Sequence, residues 1–220
     1  MDYFLELFLG GLTRGSIYAL IALGYTMVYG IIKLINFAHG EIYMIGAFTG
    51  LIAASVLTMA GMNQLAVIVL ASILAVFYSS AYGYTIEKIA YKPLRHAPRL
   101  SALISAIGMS LFLQNYVLLA QTSDFLPFPS LIPDFDFWEP YAHIITSQEL
   151  VILITTAMVM ILLTFLIKFS RIGKAMRATA QDRQMAMLVG VDVNRVISVT
   201  FIIGSATAAL GGILIASHVG

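Results

Sequence analysis

The chain has 220 residues, 60% of them apolar or aromatic and only 10% charged, with a mean hydropathy of +0.93. Soluble domains carry about 25% charged residues, so this is an integral membrane protein, and the useful unit is a span of about 20 residues. Zero Cys excludes thiolate catalysis, disulfides, Fe–S clusters and Cys-based zinc; a net charge of +1 says little as a total, and nucleic acid is excluded as a partner.

The first thirteen residues carry Asp2 and Glu6, no Lys or Arg and no small-residue cleavage pattern, so the N-terminus belongs to the structure and is not a removable signal. Charge-free runs then mark the spans. The longest, Ile42 to Ile86, would make a helix about twice the thickness of the hydrocarbon core, and Gly61-Met62-Asn63-Gln64 is its natural turn. Six spans result, near 12–32, 41–60, 65–86, 100–121, 150–168 and 196–216. All six prolines fall between spans, Pro93 and Pro98 in one connection and Pro127, Pro129, Pro133 and Pro140 in another. Gly11/Gly15, Gly46/Gly50 and Ala208/Gly212 form small-xxx-small pairs suited to close helix approach.

Sidedness follows from the basic residues, because cytoplasmic connections hold an excess of Lys and Arg. Lys33, then Lys88, Lys92, Arg95 and Arg99, then Lys168, Arg171, Lys174, Arg177, Arg183 and Arg195 all fall on one side; only Arg14 dissents. The other side carries Asp2, Glu6, Asp124, Asp134, Asp136, Glu139 and Glu149. The expected architecture is an all-α polytopic membrane domain over 1–220 with its N-terminus outside. It has a cytoplasmic segment at 169–195 and an outer loop at 122–149. In that loop Phe125, Phe128, Phe135, Phe137, Trp138 and Tyr141 suit an interfacial aromatic belt, or a docking surface for an outside partner.

Two constellations stand out. Ile35-Asn36-Phe37-Ala38-His39-Gly40-Glu41 is a polar cluster between spans 1 and 2, with Asn36 the expected N-cap of span 2. As a re-entrant break it would present helix N–H groups to an anion. As a capped cytosolic turn it would leave His39 and Glu41 in water, and spacing alone favours the turn. The second is 170–192, rich in Ala, Met, Arg and Gln, which reads as a short helix over 178–190 ending at Gly190, with Met185, Leu188 and Val189 on one face. That face fits a docking partner; Arg171, Lys174 and Arg177 fit an anionic lipid surface equally well. In span 4, Gln114 and Asn115 read as interhelical hydrogen-bonding groups or as path lining.

Gly15-Ser16-Ile17-Tyr18-Ala19-Leu20, Gly24-Tyr25-Thr26-Met27-Val28-Tyr29-Gly30 and Ile35 through Glu41 together resemble the branched-chain amino acid ABC permease family. So do Gly173-Lys174-Ala175-Met176-Arg177-Ala178, Ala186-Met187-Leu188-Val189-Gly190-Val191-Asp192 and Gly211-Gly212, and the similarity runs over the whole chain. The resemblance implies a bacterial inner-membrane permease, specifically a high-affinity leucine, isoleucine and valine permease subunit. It would pair with a second permease, two cytoplasmic ATPases and a periplasmic amino-acid-binding protein. It implies no cofactor on this chain, ATP and Mg belonging to the ATPases. Asn36, Phe37, His39, Gly40 and Glu41 become candidates for the substrate pathway. Gly173, Lys174, Arg177, Ala180, Asp182, Met185, Ala186, Leu188, Val189 and Gly190 become candidates for the ATPase-coupling segment. Family members continue past the Gly211-Gly212 span, so the bundle is expected to be truncated.

The rival classes have less behind them. A secondary transporter buries acids or His on several spans, and Glu41 is the one acid expected near a span interior. His-Glu-x-x-His, Gly-x-Ser-x-Gly and Walker A patterns are all missing. An ABC permease for other small solutes, such as amides or urea, is the remaining alternative.

Overall fold

The computed structural model describes residues 2–95, 97–122, 126–129 and 145–219. Every regular element among them is helical: α1 (Asp2–Ile32), α2 (His39–Met59), α3 (Gln64–Ile86), α4 (Arg99–Ala120), α5 (Ser147–Phe169), α6 (Arg171–Gln181), α7 (Arg183–Leu188) and α8 (Val193–Val219). Between α3 and α4 the chain tightens and loosens through a π turn (Glu87–Tyr91) and a 3-10 turn (Lys92–Leu94) that takes Pro93 at its second position. Six of these helices, α1 to α5 and α8, are long and apolar enough to cross a membrane. The spans expected from the sequence are all present. α1 alone is much longer than expected, because Asp2 and Glu6 lie within the helix, which runs unbroken from residue 2.

α8 is the axis of the bundle, with α1, α2 and α3 packed around it. Its own sequence explains this. Gly204, Ser205, Ala208, Ala209, Gly211 and Gly212 give it almost no girth on three sides, so neighbouring backbones close in. A Cβ on Gly46 of α2 would stand 2.5 Å from Ala209 Cα, and one on Gly212 would stand 2.5 Å from Tyr43 O. The Gly46/Gly50 and Ala208/Gly212 pairs therefore sit in real seams. Gly11/Gly15 does not, since nothing within this chain lies within 4 Å of a Cβ at either position.

The connections expected inside converge at one end of the bundle. Arg183 of α7 reaches the end of α1, Tyr91 reaches the α1–α2 link, and Arg95 reaches Asn194 at the start of α8. At the other end Asn63 caps α3 by accepting from Ala66 N–H at 2.8 Å, and Thr146 and Glu149 form a reciprocal capping box on α5. Phe128 is buried there against Ala54, Ala71 and Ile213. The other aromatic residues of the expected outer belt, Phe125, Phe135, Phe137, Trp138 and Tyr141, lie outside the described residues.

Candidate functional site

Helix α1 ends at Ile32, and Lys33 takes φ +59, turning the chain back. Residues 33–38 then run non-helically beside α1 until α2 begins at His39. The His39 ring lies against Gly24 and its Nε2 is 3.3 Å from the carbonyl of Ile21, two to three turns back along α1. The link is folded into the bundle, and α2 starts inside it.

That placement changes three expectations. Asn36 does not cap α2: the residue before the helix is Ala38, which offers no side-chain cap, and Asn36 Oδ1 instead accepts from Tyr91 O–H at 3.0 Å. His39 is buried, only 2% exposed, and sits edge-on to Tyr25 with ring centroids 5.7 Å apart, so it is not a solvated turn residue. Glu41 is half-buried and not left in water, and Ser110 of α4 donates to its Oε1 at 2.9 Å. Phe37 and Gly40 are exposed. Asn36 Nδ2 and His39 Nδ1 are both buried without a hydrogen-bond partner. Such groups cost about 1–3 kcal/mol each when left so, and two within four residues mark a place where something polar fits.

One to three turns further along α2 lies a cavity of about 350 Å³ between α2, α3 and α4. Ile45, Ile52 and Val117 give it aliphatic walls, and Thr49, Tyr82 and Gln121 supply polar atoms.

The second constellation differs in outline from the single helix expected over 178–190. Asp182, at φ −151 and ψ 115, breaks the segment into α6 and α7. Its carboxylate accepts from Gln184 N–H at 2.8 Å and Met185 N–H at 3.1 Å, because an N-capping carboxylate competes well with helix continuation. Gly190, at φ +84, closes α7. Its N–H donates to Met187 O and that of Val191 to Ala186 O, each at 3.0 Å, which is the paired end geometry that favours glycine.

Two residues of α6 make close contacts within the chain. Gly173 lies so close to the end of α5 that a Cβ would strike the carbonyl oxygens of Leu166 and Ile167, and Arg177 donates to the Ile167 and Lys168 carbonyls. Lys174 is exposed and Ala180 half-buried. On α7 and its C-cap Val189, Ala186 is buried while Met185, Leu188 and Val189 are 62%, 79% and 78% exposed.

Sequence reasoning missed a third group. Glu87, fully buried, pairs with Arg95 and accepts from Ser198 O–H at 2.8 Å, and Arg95 also donates to Asn194. Glu41 is therefore not the one acid close to a span interior. The signal was present, since Glu87 follows directly on a long charge-free run. Arg183 lies close by; burial, and then the like charge of Arg95, hold its pKa below the ordinary arginine value. Gln114 and Asn115 face outward on α4, and Asn115 donates to Leu111 O of its own helix at 2.8 Å, so neither bonds between helices of this chain among the described contacts.

A helical bundle with six spans, buried polar groups at a broken helix and an exposed helix at its basic end defines a multi-pass membrane protein. The chain belongs to the family described as the branched-chain amino acid transport system permease component, whose model matches residues 7–220. It is 48% identical over 224 residues to the high-affinity branched-chain amino acid transport system permease proteins LivH of Salmonella typhimurium and Escherichia coli. It is 47% identical over 222 residues to the similarly described BraD of Pseudomonas aeruginosa. In each case the match covers 99% of this chain and 72% of the relative. No solved structure matches the chain significantly.

Proposed function

We propose that this chain is the membrane-spanning subunit of an ATP-driven bacterial inner-membrane importer for branched-chain amino acids. It would act with a second permease, two cytoplasmic ATPases and a periplasmic amino-acid-binding protein. The observation that carries this reading is the similarity, over 99% of this chain, to permeases so described. The fold supports it with a separate part for each task. An amino acid needs a polar place for its two charges, and the link has buried, unpartnered Asn36 and His39 atoms beside a helix start, with Glu41 in the first turn of α2. It needs an aliphatic volume, and the cavity along α2 has one. A motor needs a grip, and Met185 and Leu188 on α7, with Val189 at its C-cap, form an exposed apolar face.

Uptake of labelled leucine, isoleucine and valine into cells lacking their own carriers, with the partner subunits supplied, tests the reading. Saturable uptake that stops when the ATPase active site is disabled supports it. Uptake that continues without the ATPases and collapses with the ion gradient identifies a secondary transporter. Competition by amides or urea in place of leucine would move the substrate class.

A further inference from the structure

The carbonyl of Ile31 stands at the point where α1 stops. In a continuing helix it would accept from the N–H of Ile35. Here it accepts twice from Arg183 of α7, from Nη2 at 2.6 Å and from Nε at 3.1 Å. The helical ladder is kept up to Lys33, whose N–H donates to Tyr29 O at 2.8 Å, and is lost immediately afterwards as Lys33 enters the left-handed region at φ +59. A non-glycine residue rarely adopts that conformation unless its surroundings hold it there. The surroundings are the guanidinium fork on one side and, on the other, the link anchored by Tyr91 on Asn36.

We propose that Arg183 is a positioning residue that clamps the α1–α2 link in its folded-back place, so that movement of α7 reaches Asn36 and His39 through the end of α1. The inference rests on reading α7 as the seat of an ATPase. While Arg183 holds the Ile31 carbonyl, α1 ends and the link turns inward. When α7 withdraws, the Ile35 N–H is the donor that helix register assigns to that carbonyl, α1 winds on through Lys33, and the link is drawn away from Tyr91 and Ile21. There is space for this travel. Cavities of about 390 and 500 Å³ lie to either side, and Arg95 and Arg183 line both. Lysine is no equivalent substitute, because a point ammonium cannot reproduce two fixed donors on one oxygen.

The chain has no native Cys and Phe37 is exposed in the link, so Phe37→Cys provides a maleimide reporter. Labelling rates are compared in the assembled transporter, recovered through its ATPase, without nucleotide and with ATP trapped. With Arg183 present the two rates differ. In Arg183→Gln they become equal, and adding Lys33→Gly, which removes the left-handed strain and favours the turn by itself, restores the rate seen without nucleotide. If Arg183→Gln does not assemble, Arg183→Lys decides: a narrowed difference supports the clamp and an unchanged one overturns it. Equal rates in the parent protein, or a full difference retained in Arg183→Gln, also overturn it. Failure of leucine uptake would instead remove the transport reading and leave the labelling comparison standing.

Discussion

Helices α5 and α8 are both apolar spans, yet 61% of the apolar 18-residue stretch of α8 is buried inside the chain and only 11% of that of α5. The more hydrophobic of the two is α5, where runs of Val, Ile, Leu and Met are broken only by Thr155-Thr156-Ala157 and Thr164, whereas α8 is diluted by Gly, Ser and Thr. Inside a bilayer, hydropathy decides whether a segment spans, because lipid is as apolar as any partner helix. Side-chain size then decides which span lies at the centre. The polar atoms of α8 also have uses: Ser198 holds Glu87, and Thr200 and Thr207 return their hydroxyls to Val196 and Gly204 carbonyls.

The largest effect is expected where α8 meets the buried ion pair. Glu87→Ala leaves Arg95 facing Asn194 with its charge uncompensated, and breaking such a pair costs about 3–5 kcal/mol. Thermal unfolding in detergent should show a large drop for Glu87→Ala and a smaller one for Glu87→Gln, which keeps a partner for Ser198. Equal, small shifts would mean that the pair contributes little to holding α8 in place. Next comes the seam between α2 and α8. Gly46→Val drives a Cβ into the Ala209 backbone, and overpacking of this kind costs about 1–3 kcal/mol. Gly11→Val, in open space at the other end of α1, serves as its control and should unfold at the parent temperature.

A smaller but functionally sharper effect is expected at Gly190. Its φ of +84 makes Gly190→Val strained by about 1–2 kcal/mol, and the strain falls on the end of α7. The expected result is an assembled transporter with normal binding of amino acid to the periplasmic protein and reduced uptake per ATP hydrolysed. Normal uptake in Gly190→Val would show that α7 does not transmit the motor stroke.

Much of this architecture is legible in the sequence. The six spans, the turn at Gly61 to Gln64 and the helix end at Gly190 each depend on local composition or backbone chemistry. What failed to read depends on partners distant in the chain. Asn36 has the chemistry of an N-cap, but Tyr91, 55 positions away, takes its oxygen. Glu87 looks like an ordinary end-of-span acid until the π and 3-10 turns bring Arg95 back onto it. Asp182 was a readable cap residue, and its setting among good helix formers hid the break. The proposed pathway and coupling roles depend on other molecules, and a single chain's contacts carry no record of them.

At the outer end of α5, Thr146→Ala should cost about 1 kcal/mol, because the capping box loses the hydroxyl that meets both Glu149 N–H and its carboxylate. Melting curves of the parent and Thr146→Ala, with Glu149→Gln as the milder variant, measure it. No shift would mean that bilayer insertion alone fixes where α5 begins.

The smallest effect is expected on the face of α5 that the chain leaves uncovered. Ile161, Leu162 and Phe165 are 69%, 61% and 64% exposed, so truncating one of them removes few contacts within the chain. Leu162→Ala should leave the stability of the isolated chain in detergent within about 0.5 kcal/mol, the range of a surface substitution. Measured beside Gly46→Val, it tests whether centrality follows packing and not hydropathy. The same substitution then becomes a probe of assembly. Lipid covering this face would tolerate a smaller side chain, since acyl chains fill the space. A rigid protein partner would not, and the missing methyls would leave a void costing about 2–5 kcal/mol. Leu162→Ala that is silent alone but lowers the melting temperature of the assembled transporter would place another helix against α5. If it is silent in both, α5 is the lipid-facing wall of the bundle, and its high hydropathy has its explanation in that exposure.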